Sequence, residues 1–214
     1  MHFKIHAKFV LSRDKYFLAR SRDKNVLHIG ACDAPYTLSK YEDGLLLHDK
    51  LEGVCKSLLG IDVDATSIKL MNELGFTNII QFDLNDIGKL DFLPDVIILG
   101  ETIEHLTNLD NLFKNVKKMM NKNCELLIST PNPFYLGNFV NALKSSENTH
   151  EDHKLYCSPQ TLQQLLTNLG FRTEEVLFSF LDREKESAKK RMVKTFARCF
   201  PMLSETLIVR CKST

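Results

Sequence analysis

The segment Asp95-Val96-Ile97-Ile98-Leu99-Gly100-Glu101 is a nearly unbroken apolar run of strand length that ends in a glycine and an acid. Such a run predicts a β-strand that is buried on both faces, as in the parallel sheets of α/β proteins. Shorter apolar runs lie before and after it along the chain. They cover residues 26–29, 58–61, 78–82, 125–129, 176–180 and 206–209.

Segments with the apolar spacing of helices separate these runs. Asp64 is the expected N-cap of one helix, which Gly75 ends, and Ser158 followed by Pro159 is the expected start of another. Strands that alternate with helices predict parallel βαβ units with helices on both faces of the sheet. The last two runs predict an antiparallel pair. The fold prediction is therefore an α/β protein with a seven-stranded, mostly parallel sheet and an antiparallel edge strand.

Composition limits the function classes that are compatible with the chain. Its 214 residues are 43% hydrophobic and 26% charged, as in a single soluble globular domain. A formal net charge of +1 gives no global electrostatic reason to expect a nucleic-acid partner. The six cysteines form no CxxC pair, and there is no secretory signal or apolar stretch of membrane-spanning length. These features predict a cytoplasmic protein with reduced thiols and no membrane partner.

The chain divides into an N-terminal segment and one domain. Residues 1–24 carry seven lysines or arginines and are predicted to form an arm or helix outside the sheet. Residues 25–214 form the predicted domain, and its long connection 131–157 is expected to cover a substrate. Residues 182–198 are rich in basic residues and are predicted to form a surface helix.

The residues that follow the predicted strands indicate a ligand site. In open parallel sheets, ligands bind beyond the carboxyl ends of the strands. The turn Gly30-Ala31-Cys32-Asp33-Ala34-Pro35 has a single glycine and a proline, which argues against a GxGxxG dinucleotide site. Asp62 can accept hydrogen bonds from a ribose, and Asp83 beside Leu84 suits an adenine. Each aspartate alone is better explained as a helix N-cap or a solvated acid, but their shared placement at strand ends favours a nucleoside ligand.

Five strings carry a family resemblance: VLHIGACDA, LLGIDVDATSI, NIIQFDLND, PDVIILGETIEHL and LLISTPNPF. Over roughly residues 25–180 they resemble the successive motifs of class I S-adenosylmethionine-dependent methyltransferases. The resemblance implies a Rossmann-like fold, a one-carbon group transferase and S-adenosylmethionine as the cofactor. The chain departs from the usual first motif at His28, where an acid is usual, and at Cys32 and Ala34, where glycines are usual.

The resemblance also implies roles for single residues. Gly30 and Cys32 would line the methionine part of the cofactor, and Asp62 would hold the ribose. Asp83 and Leu84 would lie at the adenine, while Gly100 and Glu101 would lie under the sulfonium. Asp33 and Val63 complete the expected cofactor site.

Methyl transfer to a hydroxyl requires an aligned acceptor and a group that removes a proton. Histidine suits that role because its pKa lies near neutrality. Four histidines fall on segments expected to face the pocket: His48, His105, His150 and His153. The predicted catalytic residues are His105, His153 and Glu104.

The string Glu101-Thr102-Ile103-Glu104-His105 has a second interpretation. Its two acids and its histidine could face one way on a helical turn, and they are a sensible set for a divalent metal. Small-RNA 2′-O-methyltransferases and ubiquinone-pathway O-methyltransferases have a similar element and use it with a metal. The candidate ligands are Glu101, Glu104, His105 and His150. Alternatively, Glu104 and His105 shape the helix start while Glu101 orients the cofactor, and we do not expect a metal.

The expected function is methylation of a small polar acceptor. The strings CDAPYT, LLHDKL, GETIEHL and a late HxDH resemble methyltransferases of glycan biosynthesis, which implies an oxygen of a sugar or polysaccharide precursor. One alternative is an RNA or nucleic-acid 2′-O-methyltransferase, prompted by the acid–histidine element and the basic segments. The other is a non-catalytic partner protein with the same fold, prompted by the single glycine of the first turn.

Overall fold

The computed structural model describes residues 4–84, 90–183 and 188–214, with the backbone alone for residues 188–190. The strands in chain order are β1 Lys8–Phe9, β2 Asn25–Ile29, β3 Ser57–Asp62, β4 Ile79–Gln81, β5 Val96–Gly100, β6 Glu125–Pro131, β7 Phe171–Ser179 and β8 Thr206–Ser213. They form one mixed sheet in the order β1-β7-β8-β6-β5-β2-β3-β4. The prediction of an α/β fold is confirmed.

Helices connect these strands, and two of them, α2 and α6, form within segments where the sequence predicted only connections. Their bounds are α1 Arg13–Ser21, α2 Thr37–Glu42, α3 Leu47–Glu52, α4 Ala65–Glu73, α5 Leu109–Met119, α6 Leu136–Ala142, α7 Pro159–Asn168 and α8 Ala188–Cys199. Asp64 caps α4 by accepting hydrogen bonds from the amides of Thr66 and Ser67, and Gly75 follows the helix at a φ of 101°. Ser158 caps α7 in the same way, with Pro159 at its start.

Alternating side chains of the central strands feed two cores. Leu27 and Leu99 pack on one face of the sheet with apolar residues of α5 and α7, while Val26 and Ile98 pack on the other face with α1 and α3. Both faces of β5 are buried, which explains why its sequence is purely apolar, and β2 is buried in the same way except at Asn25.

The strand count and the position of the antiparallel strand differ from the prediction. The described residues form eight strands, because Lys8–Phe9 adds a short parallel strand beside β7. The antiparallel strand β8 is not at an edge, since it lies between β6 and β7 and pairs with both. Neither feature can be read from the local sequence. The two residues of β1 are too few to show the alternating apolar pattern of a strand, and the position of β8 is set by pairing with residues far away in the sequence.

The N-terminal segment contains the expected helix, α1, with Ser12 as its N-cap. The expectation that residues 1–24 lie wholly outside the sheet is wrong, because β1 pairs with β7. Division of the chain at residue 25 stays a prediction.

The basic segment near the C-terminus forms α8, which lies between β7 and β8. Residues 184–187 of the predicted helix lie outside the described residues. None of the helices in the described part of the chain combines the length and the apolar character that a bilayer crossing needs.

Candidate active site

A cleft of about 830 Å³ opens beyond the carboxyl ends of the central strands. β2 has β3 on one side and β5 on the other, so consecutive crossovers leave it in opposite directions and a crevice opens there. We call one part of the cleft the strand-end half, which is lined by Gly30, Asp33, Asp62, Val63, Leu84 and Glu101. We call the other part the lid half, which is lined by Glu104, His105, Tyr135, Asn138, His150, His153 and Tyr156.

Gly30 ends β2 at a position that only glycine fills without strain. Its φ of 72° lies in the left-handed region, and a Cβ there would be 2.7 Å from the Thr102 hydroxyl oxygen. The Gly30 amide donates to the Ile61 carbonyl at 2.9 Å. The turn after β2 is therefore tied to both neighbouring strand ends, and its backbone faces the cleft.

Asp62 at the end of β3 organises that turn. Its Oδ2 accepts from the Cys32 amide at 3.0 Å, and its Oδ1 accepts from the amides of Val63 at 2.8 Å and Asp64 at 3.1 Å. The Cys32 thiol also hydrogen-bonds with this carboxylate. Asp62 thus holds the loop in place while it lines the cleft.

The other predicted cofactor residues divide into two groups. Asp33, Val63 and Leu84 line the cleft, and Asp33 also pairs with Lys40 at 2.5 Å. The side chain of Cys32 is fully buried in the core near α4 and does not line the cleft, and both its amide and its thiol interact with Asp62. Gly100 is buried inside the sheet, and Asp83 is exposed and does not line the cleft.

Glu101 lies at the end of β5 with a backbone φ of 50°. Its amide donates to the Ser129 carbonyl at 3.0 Å, and its carboxylate lies 3.8 Å from the Arg13 guanidinium of α1. Burial raises the pKa of Glu101, and the Arg13 charge opposes that rise. Its Oε1 has no hydrogen-bond partner within the residues that the structure describes. A buried acceptor of this kind is suited to a ligand that brings donors or positive charge.

Glu104 belongs to the short 3₁₀ turn Ile103–His105 and is almost fully buried. Its Oε2 accepts from the Thr130 hydroxyl at 3.0 Å, whereas its Oε1 is unpartnered in the described part of the molecule. Burial raises the pKa of Glu104 to about 9, and the neighbouring Glu101 adds to the rise. At neutral pH this side chain is therefore an uncharged carboxylic acid that can donate one hydrogen bond.

The predicted cover over the acceptor docks on that 3₁₀ turn. The Lys154 amide donates to the Glu104 carbonyl at 2.8 Å, and the Lys154 ammonium donates to the His105 carbonyl at 3.0 Å. The ring of His150 meets Tyr36, which precedes α2, at 5.8 Å between centroids. The segments before α2 and before α7 therefore meet across the mouth of the cleft.

Three imidazoles converge on the wall of the lid half. The ring of His105 is 4.8 Å from that of His153 and 5.9 Å from that of His150. Burial lowers the pKa of His105, and it lowers that of His153 together with the neighbouring imidazoles. Both rings are therefore neutral at pH 7 and can accept a proton.

The same three histidines could hold a metal ion, because one nitrogen from each lies within 4.8 Å of the others. This set differs from the predicted one. Glu101 faces Arg13 and Glu104 faces Thr130, so neither acid belongs to the imidazole group.

His48 is not at the cleft. It is fully buried and stacks on His28, with ring centroids 5.5 Å apart and the two Nδ1 atoms 3.3 Å apart. Its Nε2 lies 3.1 Å from the Asn78 amide oxygen. The prediction that His48 faces the pocket is wrong because α3 turns it into the packing between β3 and Phe76.

Several cleft residues carry no sequence signal that singles them out. Arg13 reaches Glu101 from α1, and Thr102 fills the space above Gly30. The amide side chains of α6 line the lid half, and Arg183 and Glu205 line the cleft from either side of α8. Their roles arise from tertiary contact, which a one-dimensional pattern does not encode.

Comparison with known proteins agrees with this geometry. Residues 7–176 match a family model described as a methyltransferase domain. No curated protein matches the chain in sequence. An S-adenosylmethionine-dependent methyltransferase from Archaeoglobus fulgidus is 20% identical, with 93% of this chain and 90% of that chain covered and a TM-score of 0.60.

Two further solved structures are similar. An S-adenosylmethionine-dependent methyltransferase from Mesorhizobium loti is 14% identical, with coverages of 93% and 95% and a TM-score of 0.60. The N-methyltransferase NodS from Bradyrhizobium japonicum, in complex with S-adenosyl-L-homocysteine, is 17% identical, with coverages of 94% and 85% and a TM-score of 0.57. At these identities the likeness concerns the fold.

Proposed function

The chain belongs to the family of methyltransferase domains and uses S-adenosylmethionine, and on that premise we propose that it methylates an oxygen of a small polar acceptor bound in the lid half. The observation that carries the proposal is the convergence of neutral imidazoles and a neutral carboxylic acid on one wall of the cleft. Imidazoles can accept a proton and a carboxylic acid can donate a hydrogen bond, and these groups line the same cleft as the strand-end half.

The strand-end half fits the cofactor by its chemistry. Apolar Leu84 and Val63 line the cleft together with Asp62, whose carboxylate is of the type that accepts from ribose hydroxyls. Glu101 Oε1 accepts no hydrogen bond within the described residues, although Arg13 lies 3.8 Å away, so it can accept one from the amino group of the cofactor. The cofactor, when bound, supplies an electrophilic methyl group. We assign Gly30, Asp33, Asp62, Val63, Leu84 and Glu101 to its site, and we omit the side chains of Cys32 and Asp83.

The proton of the acceptor hydroxyl needs a destination during methyl transfer. His105 and His153 are neutral and half-exposed at the lid, so either imidazole can take that proton and pass it to solvent. Glu104 holds its own proton, lines the cleft, and has an Oε1 without a hydrogen-bond partner among the described residues. It is suited to fixing the acceptor oxygen by a hydrogen bond, while the lid excludes water.

The lining of the lid half supports a sugar or polysaccharide precursor as the acceptor. Asn138, Asn141 and Asn148 bring amides that both donate and accept, and Tyr135 and Tyr156 bring aromatic faces. A polyol presents many hydroxyls around an apolar ring face, which matches that mixture. The free thiols of the chain agree with a cytoplasmic location for this reaction.

The decisive experiment is an acceptor screen. The protein is incubated with methyl-labelled S-adenosylmethionine and a panel of nucleotide sugars, glycosides, amines and RNA, and products are identified by mass spectrometry. Labelled methyl ethers of sugars are expected. Labelled RNA would support the nucleic-acid alternative, and failure to bind the cofactor in a calorimetric titration would support the non-catalytic one.

A matched pair of variants tests the cofactor site. Asp62→Ala is expected to abolish S-adenosylmethionine binding, because the side chain holds both the Cys32 turn and the ribose acceptor position. Asp110→Ala, on the exposed face of α5, is the control and should bind normally. Unchanged affinity in a folded Asp62→Ala protein would move the ribose site elsewhere.

A further inference from the structure

The helix α8 has a composition unlike the rest of the chain. Its twelve residues, AKKRMVKTFARC, include five lysines or arginines and no acid, in a chain whose formal net charge is only +1. Basic charge is therefore concentrated on one surface element.

Large apolar side chains of this element face solvent. Met192, Phe196 and Phe200 recur every four residues and are 68%, 47% and 52% exposed. The Phe200 amide donates to the Phe196 carbonyl at 3.2 Å, so the helical path continues to Phe200, and the two rings lie 4.7 Å apart. The spacing aligns the three side chains along one edge of the helix, which we call the apolar edge.

The remaining positions of α8 divide into a packed side and a basic side. Ala197 is fully buried, and the Lys194 ammonium lies 5.6 Å from the centre of the Phe180 ring, so that side packs on the protein. Arg191 and Arg198 are exposed on another side of the helix, separated from the apolar edge by Thr195 and Cys199. An apolar edge and a basic side on one helix are the features of helices that lie in a membrane interface.

The chain path places α8 beside the mouth of the cleft. It connects the carboxyl end of β7 to the amino end of β8, at the same edge of the sheet as the cleft. Residues that flank the helix in sequence, among them Arg183 and Glu205, line the cleft.

The helix α6, which follows the carboxyl end of β6, also exposes large apolar side chains at this edge of the sheet. Its Asn138 and Asn141 line the cleft, whereas Phe139 and Leu143 are 61% and 72% exposed. Within the described residues, α6 buries no side chain fully. Both helices that follow strand ends here therefore leave large apolar groups uncovered beside the cleft mouth.

We propose that α8 docks the protein on an anionic lipid surface, with the apolar edge inserted between headgroups and α6 beside it. Charge complementarity selects this occupant, because lysines and arginines are attracted to anionic lipids while Met and Phe side chains partition into the interface. The sequence predicted no membrane partner because it has no stretch of membrane-spanning length. A helix that lies in the membrane interface does not need such a stretch. The inference is independent of the methyl acceptor.

Vesicle flotation tests the proposal. The intact protein is mixed with vesicles of equal parts phosphatidylglycerol and phosphatidylcholine, or of phosphatidylcholine alone. Flotation is expected with the anionic vesicles, weaker with the neutral ones, and weaker again at high salt because salt screens the basic side. Absence of flotation with the anionic vesicles would overturn the proposal.

Variants separate the two contributions. The triple variant Met192→Ser/Phe196→Ser/Phe200→Ser should lose flotation. The double variant Arg191→Gln/Arg198→Gln should lower the partition coefficient about 25-fold, from about fivefold per charge. Leu93→Ser is the control, because Leu93 is 80% exposed but precedes the amino end of β5, at the opposite edge of the sheet. Circular dichroism verifies that all variants are folded.

The same variants expose the competing explanation, a protein–protein interface. If the wild-type protein self-associates with increasing concentration and the triple serine variant does not, while neither floats with vesicles, the surface binds protein and the proposal is wrong. Equal flotation of the triple variant and the Leu93→Ser control would also contradict it.

Discussion

Two groups of histidines in this protein have opposite environments. His28 and His48 are stacked inside the protein between β2 and α3, and His48 reaches Asn78. His105, His150 and His153 meet at the open wall of the cleft, where they are only half-buried. The first pair is sealed within the fold. The second group is anchored through single contacts with its own loop, since the Asp152 amide donates to His150 Nδ1 at 3.2 Å and the Thr149 hydroxyl lies 3.3 Å from His153 Nδ1.

Hydrogen-bond partners decide what each group can do. The Asn78 oxygen accepts from His48 Nε2, so His48 Nδ1 is an acceptor and His28 Nδ1 must be the donor. This series of hydrogen bonds engages both nitrogens of His48 and Nδ1 of His28 in contacts within the fold. Each cleft imidazole is half-exposed and has a second ring nitrogen besides the one that contacts the loop. We therefore propose that the same type of side chain serves stability in one place and reactivity in the other.

The largest expected effect is on turnover. His153→Ala and His105→Ala should each lower the rate of methyl transfer, by about 10²- to 10⁴-fold for whichever residue removes the proton. Cofactor affinity should stay near the wild-type value, because neither ring lies in the strand-end half. Rates are measured with the acceptor from the screen and affinities by calorimetry, with the exposed His6→Ala as the control. Equal losses of rate and of cofactor affinity would make the cluster structural.

The second effect is on the free energy of unfolding. His48→Ala should lower it by about 2–4 kcal/mol, because the change leaves a cavity and an unpaired His28 donor. His28→Leu/His48→Leu should cost less, since it leaves neither imidazole unpaired. Urea denaturation measures both. If His48→Ala instead impaired catalysis and left stability intact, the contrast between the two groups would fail.

A third effect is the acid sensitivity of the buried pair. Burial lowers the pKa of His48 to about 4 and holds that of His28 well below 6.5. As pH falls from 6.5 toward 4, the unfolded chain binds protons on these histidines and the folded protein does not, so stability falls. The slope should approach about 1.4 kcal/mol per pH unit for each histidine. Denaturation across this range should give a smaller slope for the double leucine variant, and identical slopes would refute the assignment.

The smallest expected effect concerns metal ions. Activity should be unchanged after treatment with a chelator and verification by elemental analysis, because the proposed reaction needs an imidazole base alone. Loss of activity that zinc, manganese or magnesium restores would convert the cleft histidines from a base into ligands. Calorimetric titration of His150→Ala with the restoring ion would then identify whether that ring contributes.

Much of the fold was predictable because it depends on local chemistry. All seven predicted strands overlap observed ones, and the caps at Asp64 and Ser158 are confirmed. β1 and the central place of β8 were missed, because strand order depends on contacts between residues far apart in sequence.

The candidate site was predictable where residues follow strands directly. Gly30, Asp62, Leu84 and Glu101 line the cleft as the carboxyl-end rule predicts. Side-chain direction was not predictable for His48 or Cys32, since it depends on which neighbours the packed helices bring. The roles that we assign to the cleft residues in binding and catalysis remain predictions, which the variants described above test.

The place of β8 has a consequence for biosynthesis. β6 and β7 have no direct pairing across the gap that β8 fills, so the sheet stays in two parts until residues 206–213 have left the ribosome. For that interval the nascent chain presents two open strand edges, and both can capture another chain. Slow translation or a premature stop just before Thr206 would therefore produce aggregates rather than a smaller folded protein.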